Sequence, residues 1–125
     1  MPERERPSLV VSFVCAGRGM SSALASQRNL RIQAVIGAVV VIAGLILNLR
    51  ALEWAAVVLS MSGVFTAELI NTAVERAVDL ACPRYDDGAR LAKDASAAAA
   101  LVAALSSVVV GLLVFVPRLA ATLSR

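Results

Sequence analysis

Three apolar stretches, each about as long as a bilayer core is thick, decide what this chain can fold into. The first runs from Ile32 to Leu49 and is interrupted only by Gln33 and Asn48. At 1.5 Å per residue, about eighteen residues of helix just cover roughly 30 Å of hydrocarbon. The second starts near Trp54, stays apolar to Ala67 and continues at helical period through Glu68 to Leu80. The third, Ala95 to Val116, carries no charge, and Pro117 with Arg118 is expected to end it. Leu49 to Glu53 is a tight connection, so the first two spans form a helical hairpin. Ala81 to Lys93 reads as a longer loop with Pro83 and Gly88 as breakers. Composition agrees: 59% of residues are hydrophobic but only 4% aromatic, and the mean hydropathy is +0.80. The expected fold is an all-α membrane protein made of one domain, residues 1–125. It has a surface helix over about 8–26 and spans over about 30–49, 53–80 and 94–117.

Basic residues set the orientation. Arg4, Arg6, Arg18, Arg28 and Arg31 precede the first span, and Arg76, Arg84, Arg90 and Lys93 flank the second loop. Only Arg50, Arg118 and Arg125 fall on the other side. The excess puts the N-terminus in the cytoplasm. Residues 8–25 imitate a secretory signal, with Arg4 and Arg6, an apolar run and Ala23-Leu24-Ala25. However, Arg18 interrupts that run. Leu9, Phe13, Ala16, Met20 and Leu24 recur on one helical face, which favours an amphipathic helix lying on the membrane.

Several function classes drop out. There is no histidine, so acid–base chemistry rests on carboxylates or Lys93. Cys15 and Cys82 form no CxxC pair. A net charge of +3 without a Lys/Arg tract gives no argument for nucleic acid. The third span is rich in Ala, Ser and Gly, from Ala95 to Gly111. Small faces of this kind let helices approach closely in lipid. Three thin helices do not enclose a pocket alone, so self-association is expected.

Glu68, Asn71, Glu75 and Asp79 are spaced three, four and four apart, and fall on one face of a helix. Carboxylates in a membrane span are costly and are usually functional. The helix from Glu53 to Leu80 is longer than the hydrocarbon is thick, so the seam runs from the inner membrane edge into the cytosol. Glu68 and Glu75 form a plausible general-base and divalent-metal set. Their hard oxygen donors suit Mg²⁺, which also takes phosphate oxygens. Arg90, Lys93 and Asp94 precede the third span on the same side, and Lys93 is placed to meet phosphates. No GxxxxGK loop or Gly-rich kinase loop is present. Alternatively, Glu75 and Asp79 are solvated ends while Glu68 and Asn71 bond between helices. An ion path would need polar groups in the outer half of the spans, where the second span offers only Ser60 and Ser62.

The string Glu68-Leu69-Ile70-Asn71-Thr72-Ala73-Val74-Glu75-Arg76-Ala77-Val78-Asp79 resembles the signature of the small prokaryotic membrane kinases acting on diacylglycerol or undecaprenol. Arg28-Asn29-Leu30-Arg31-Ile32 and Leu91-Ala92-Lys93-Asp94 resemble that family's flanking motifs, and the likeness extends over roughly residues 8–117. It implies a homotrimer with active sites shared between subunits at the cytoplasmic interface of a bacterial inner membrane. It implies transfer of the γ-phosphoryl of ATP to a lipid hydroxyl, with Mg²⁺. Glu68 would be the general base, and with Arg31 it would meet the lipid. Glu75 would be a metal ligand, and Asn71, Glu75, Asp79, Lys93 and Asp94 would organise nucleotide and metal. Asp79-Leu80, Pro83, Tyr85 and Arg28-Asn29 look more like the undecaprenol kinases, with diacylglycerol as the alternative acceptor.

Two positions depart from the family pattern. The glutamate that usually precedes the Arg-Asn pair, a second metal ligand, is Gln27 here. An amide oxygen still coordinates Mg²⁺ but brings no charge, which leaves a weakly active or inactive homologue as the rival. Ser21 stands where a basic residue is common.

Overall fold

The structure is a computed structural model, and residues 8–124 are described. Arg4, Arg6 and Arg125, which enter the charge count above, lie outside the described residues. Four helices follow one another: α1 (Leu9–Ser26), α2 (Arg28–Ile46), α3 (Ala51–Ala81) and α4 (Asp87–Leu123). Among the described residues there is no strand, and all four helices are long and apolar enough to cross a membrane. The all-α membrane fold is therefore as expected. α1 meets that threshold as well, with 18 residues.

Local chemistry explains the boundaries. The Ser8 hydroxyl accepts from the Val11 amide at 3.4 Å and caps α1. Gln27 alone is extended between α1 and α2, with φ −102° and ψ 115°. α2 closes through Asn48, which takes a left-handed φ of 50° while the Leu49 amide donates back to the Gly44 carbonyl at 3.1 Å. Asn tolerates that conformation better than most residues. In the first turn of α3, Glu53 Oε2 accepts from the Arg50 amide at 2.7 Å.

Two expectations about α4 are corrected. The loop before it is short, because Asp86 accepts from the Ala89 amide at 2.8 Å and starts the helix at Asp87. Gly88 and Lys93 are thus helical rather than in a loop. Pro117 does not end the helix, which continues to Leu123. Proline removes one backbone bond, to the carbonyl of residue 113, but the turns on either side persist. Arg118 on the next position is held by Glu53 of α3, with Nε to Oε1 at 3.1 Å and a second bond from Nη2 to Oε2.

α3 and α4 form the most extensive contact. Leu49, Val57 and Val114 are buried together, with Trp54, Met61, Val110 and Phe115 around them. α2 meets α3 through two buried glycines seven residues apart. A Cβ on Gly37 would lie 2.8 Å from Met61, and one on Gly44 2.7 Å from Trp54. Gly111, in the small-residue span, has open space beside it. Most large apolar side chains face outward, among them Leu59, Ile46 and Leu113. Such an outward-facing apolar surface suits lipid.

Candidate active site

The polar seam lies along α3 as its spacing predicts, and α2 and α4 supply its partners. Glu68 is buried, with 9% of its surface exposed. Its Oε1 accepts from Gln33 Nε2 of α2 at 2.9 Å. Gln33 Oε1 is buried and has no partner among the described residues. Gln33 also borders a cavity of about 170 Å³ between α2, α3 and α4, with Gly37, Val40, Met61, Phe65 and Phe115 in its lining. A buried carboxylate is therefore held at the polar end of an apolar cleft. Thr72, one turn further along α3, is buried as well, at 5% exposure.

One turn toward the C-terminal end of α3, Asn71 Nδ2 donates to Glu75 Oε1 at 3.4 Å, and Ser96 Oγ of α4 donates to Asn71 Oδ1 at 2.7 Å. Further along, Lys93 Nζ donates to Asp79 Oδ1 at 2.9 Å. Lys93 lies near the start of α4, ahead of its uncharged run from Ala95 to Val116. Its hydrogen bond to the Asp79 carboxylate, then that carboxylate's charge, raises its pKa above the ordinary 10.5. The ammonium thus stays protonated across the physiological range. A cavity of about 250 Å³ opens here, lined by Asp79, Arg84, Tyr85, Arg90, Lys93 and Asp94. Asp94 pairs with Arg90 at 3.3 Å, one turn earlier on its own helix.

The structure thus brings Glu68, Asn71, Glu75, Asp79 and Lys93 into one line. Gln27 is half-buried at the α1–α2 joint, and its side chain makes no hydrogen bond with the described residues. Arg31 is exposed on α2 and forms no ion pair among them. Arg76, counted above only as a charge, ties α3 to α1 by donating to Ser26 Oγ at 2.7 Å. Gln33 and Ser96 are not among the residues that sequence alone assigns to the site. Gln33 carries a usable signal, since it is a polar residue inside an apolar run. Ser96 does not stand out, because it sits in a string of small residues that reads as packing.

Among the described residues, no three acidic or cysteine side chains are grouped to hold a metal ion unaided. Mg²⁺ is ordinarily held by one or two carboxylates and by substrate phosphates rather than by a protein cage. Glu75, whose Oε2 is bonded to nothing among the described residues, fits that mode.

The model of the prokaryotic diacylglycerol kinase family matches residues 14–115. The chain is similar to an undecaprenol kinase of Bacillus subtilis, with 41% identity over 108 residues, covering 86% of this chain and 88% of that protein. It is also similar to a diacylglycerol kinase of Synechocystis sp., with 42% identity over 114 residues, covering 90% of this chain and 65% of the relative. The chain belongs to the prokaryotic diacylglycerol kinase family, a family of lipid kinases.

Proposed function

We propose that this protein transfers the γ-phosphoryl group of ATP to a lipid alcohol at the cytoplasmic face of a bacterial inner membrane, with undecaprenol as the preferred acceptor. The observation that carries this is the position of Glu68, a buried carboxylate between an apolar cleft and a polar, cation-bearing seam. A lipid chain suits the cleft, and a nucleotide suits the seam. Glu68 takes the proton of the lipid hydroxyl as its oxygen attacks the γ-phosphorus and ADP leaves. Gln33 donates from Nε2 to one carboxylate oxygen and so orients Glu68, leaving the other oxygen for the hydroxyl proton. Asn71 and Lys93 orient and neutralise phosphates on the other side. When bound, Mg²⁺ supplies charge neutralisation on the nucleotide, with Glu75 as its carboxylate ligand and Gln27 as a weak second one.

The N-terminus is cytoplasmic, α1 lies on the membrane surface with Arg31 near the lipid headgroup, and α2 to α4 span it. The charge asymmetry supports this orientation, as does the bond from Arg76 to α1 at the same end as the seam. The protein works as a homotrimer, as the resemblance to the family implies, and a partly exposed seam on the single protomer is consistent with a neighbouring subunit beside it.

The test is an ATP phosphorylation assay on the full chain in lipid, with undecaprenol and diacylglycerol offered in parallel. Faster product formation from undecaprenol supports the reading. Faster product formation from diacylglycerol reassigns the acceptor, in line with the Synechocystis relative's name. Absence of both products, with turnover gained by Gln27→Glu, makes the chain an inactive homologue.

A further inference from the structure

We infer that Ser96 is a positioning residue of this site: its hydroxyl fixes the Asn71 amide so that Glu75 presents its second oxygen to a divalent cation on the nucleotide. This rests on the function proposed above and adds to it a residue from α4.

Donors and acceptors decide how the three side chains are linked. Asn71 lies between two groups, Glu75 Oε1 at 3.4 Å and Ser96 Oγ at 2.7 Å. A carboxylate only accepts, so the amide NH₂ must face Glu75 and the amide oxygen must face Ser96. The Ser96 hydroxyl has one proton and two acceptors within reach, Asn71 Oδ1 at 2.7 Å and the Lys93 carbonyl of its own helix at 2.9 Å. The Lys93 carbonyl is an ordinary partner for a helical serine, one turn back. If the proton stayed there, two oxygens would meet at 2.7 Å with no hydrogen between them. It therefore goes to Asn71, and the chain Ser96 to Asn71 to Glu75 has one direction.

That direction has a consequence for the carboxylate. Glu75 Oε1 is engaged by Asn71, and the carboxylate plane is set, so Oε2 is the oxygen left for a cation. Removing the hydroxyl frees the amide to rotate and to drop Glu75. The same link joins the seam on α3 to the helix that carries Lys93, only one turn away from it.

The experiment uses the full chain in lipid nanodiscs and reads Mn²⁺ binding by electron paramagnetic resonance, with a non-hydrolysable ATP analogue present. Ser96→Ala is expected to weaken Mn²⁺ binding by roughly 3–10-fold, the range one hydrogen bond allows. Ser96→Thr, which keeps the hydroxyl, is expected to stay within about twofold of wild type. Thermal unfolding of the two variants should be alike. If Ser96→Ala binds Mn²⁺ as wild type does, or if Ser96→Thr is as weak as Ser96→Ala, the positioning role is overturned and Ser96 is interhelical packing only. If wild type itself binds no Mn²⁺ with the analogue, the underlying metal and nucleotide reading falls, and this inference with it.

Discussion

Glu68 combines burial with ionisable character, and its neighbours show how the chain tolerates this. Gln33 commits its Nε2 to the carboxylate and leaves its Oε1 buried and unpartnered among the described residues. An unmet buried acceptor costs stability unless something else requires it. Holding the Glu68 carboxylate in place through Nε2 supplies that requirement. Gln33→Leu should therefore lower kcat for lipid phosphorylation by about tenfold or more, the scale of one lost hydrogen bond to a charged group. The KM for ATP should hardly move, since Gln33 lies on the lipid side. Gln27→Glu should lower the Mg²⁺ concentration for half-maximal activity, because it restores a negative charge to the amide position. A Mg²⁺ titration of both forms checks this, and an unchanged midpoint would remove Gln27 from the metal site. The seam itself is legible in the sequence, because carboxylates recurring at helical spacing inside an apolar run are too costly to persist without a role. Of its partners, Gln33 carries a signal as a polar residue in an apolar run and Ser96 carries none. Ser96 looks like its small neighbours, and that Gln33 turns its amide nitrogen to Glu68 is set by α2 packing on α3, a tertiary fact.

At the scale of elements, two contacts set how the helices meet. Gly44 lets the Trp54 ring lie against α2, and any Cβ there would stand 2.7 Å from that ring. Gly44→Ala should destabilise the hairpin by about 1–3 kcal/mol, the usual cost of overpacking. Trp54 is the sole tryptophan, so its emission reports the displacement directly. At the opposite end of α3 from the seam, Glu53 receives two bonds from Arg118 and one from the Arg50 amide. Arg118→Ala should lower the unfolding temperature by a few degrees and leave kcat unchanged, because the seam is about 22 Å away along α3. The spans are readable from hydropathy, and so is the tight connection between the first two, expected at Leu49–Glu53 and found at residues 47–50. The ends of α4 are not. Asp86 as a cap outweighs Gly88 as a breaker, and an ion pair from another helix holds the chain beyond Pro117. Neither competition is decided by local sequence.

At the scale of the molecule, α3 and α4 have 31 and 37 residues, about 46 and 55 Å of helix. Both exceed a hydrocarbon core of roughly 30 Å, so their ends stand outside it. In the proposed orientation the seam begins where α3 leaves the apolar layer, which is where a water-soluble nucleotide and a membrane lipid can share one site. The lipid-facing surface accounts for the sparse core, since burial against other side chains is not what stabilises such a chain. The proposed trimer has a mass near three times 13.0 kDa, about 39 kDa. Native mass spectrometry from detergent should find it, and a stable, active monomer would refute the shared-site arrangement.

If Glu68 is the base that activates the lipid hydroxyl, removing its carboxylate must slow the chemical step itself. The most direct test is single-turnover phosphoryl transfer from ATP to undecaprenol by wild type and Glu68→Gln in the same bilayers. Loss of a general base predicts a rate lower by at least about 10²-fold for Glu68→Gln, with ATP binding retained. A Glu68→Gln protein that transfers phosphate at the wild-type rate would contradict it.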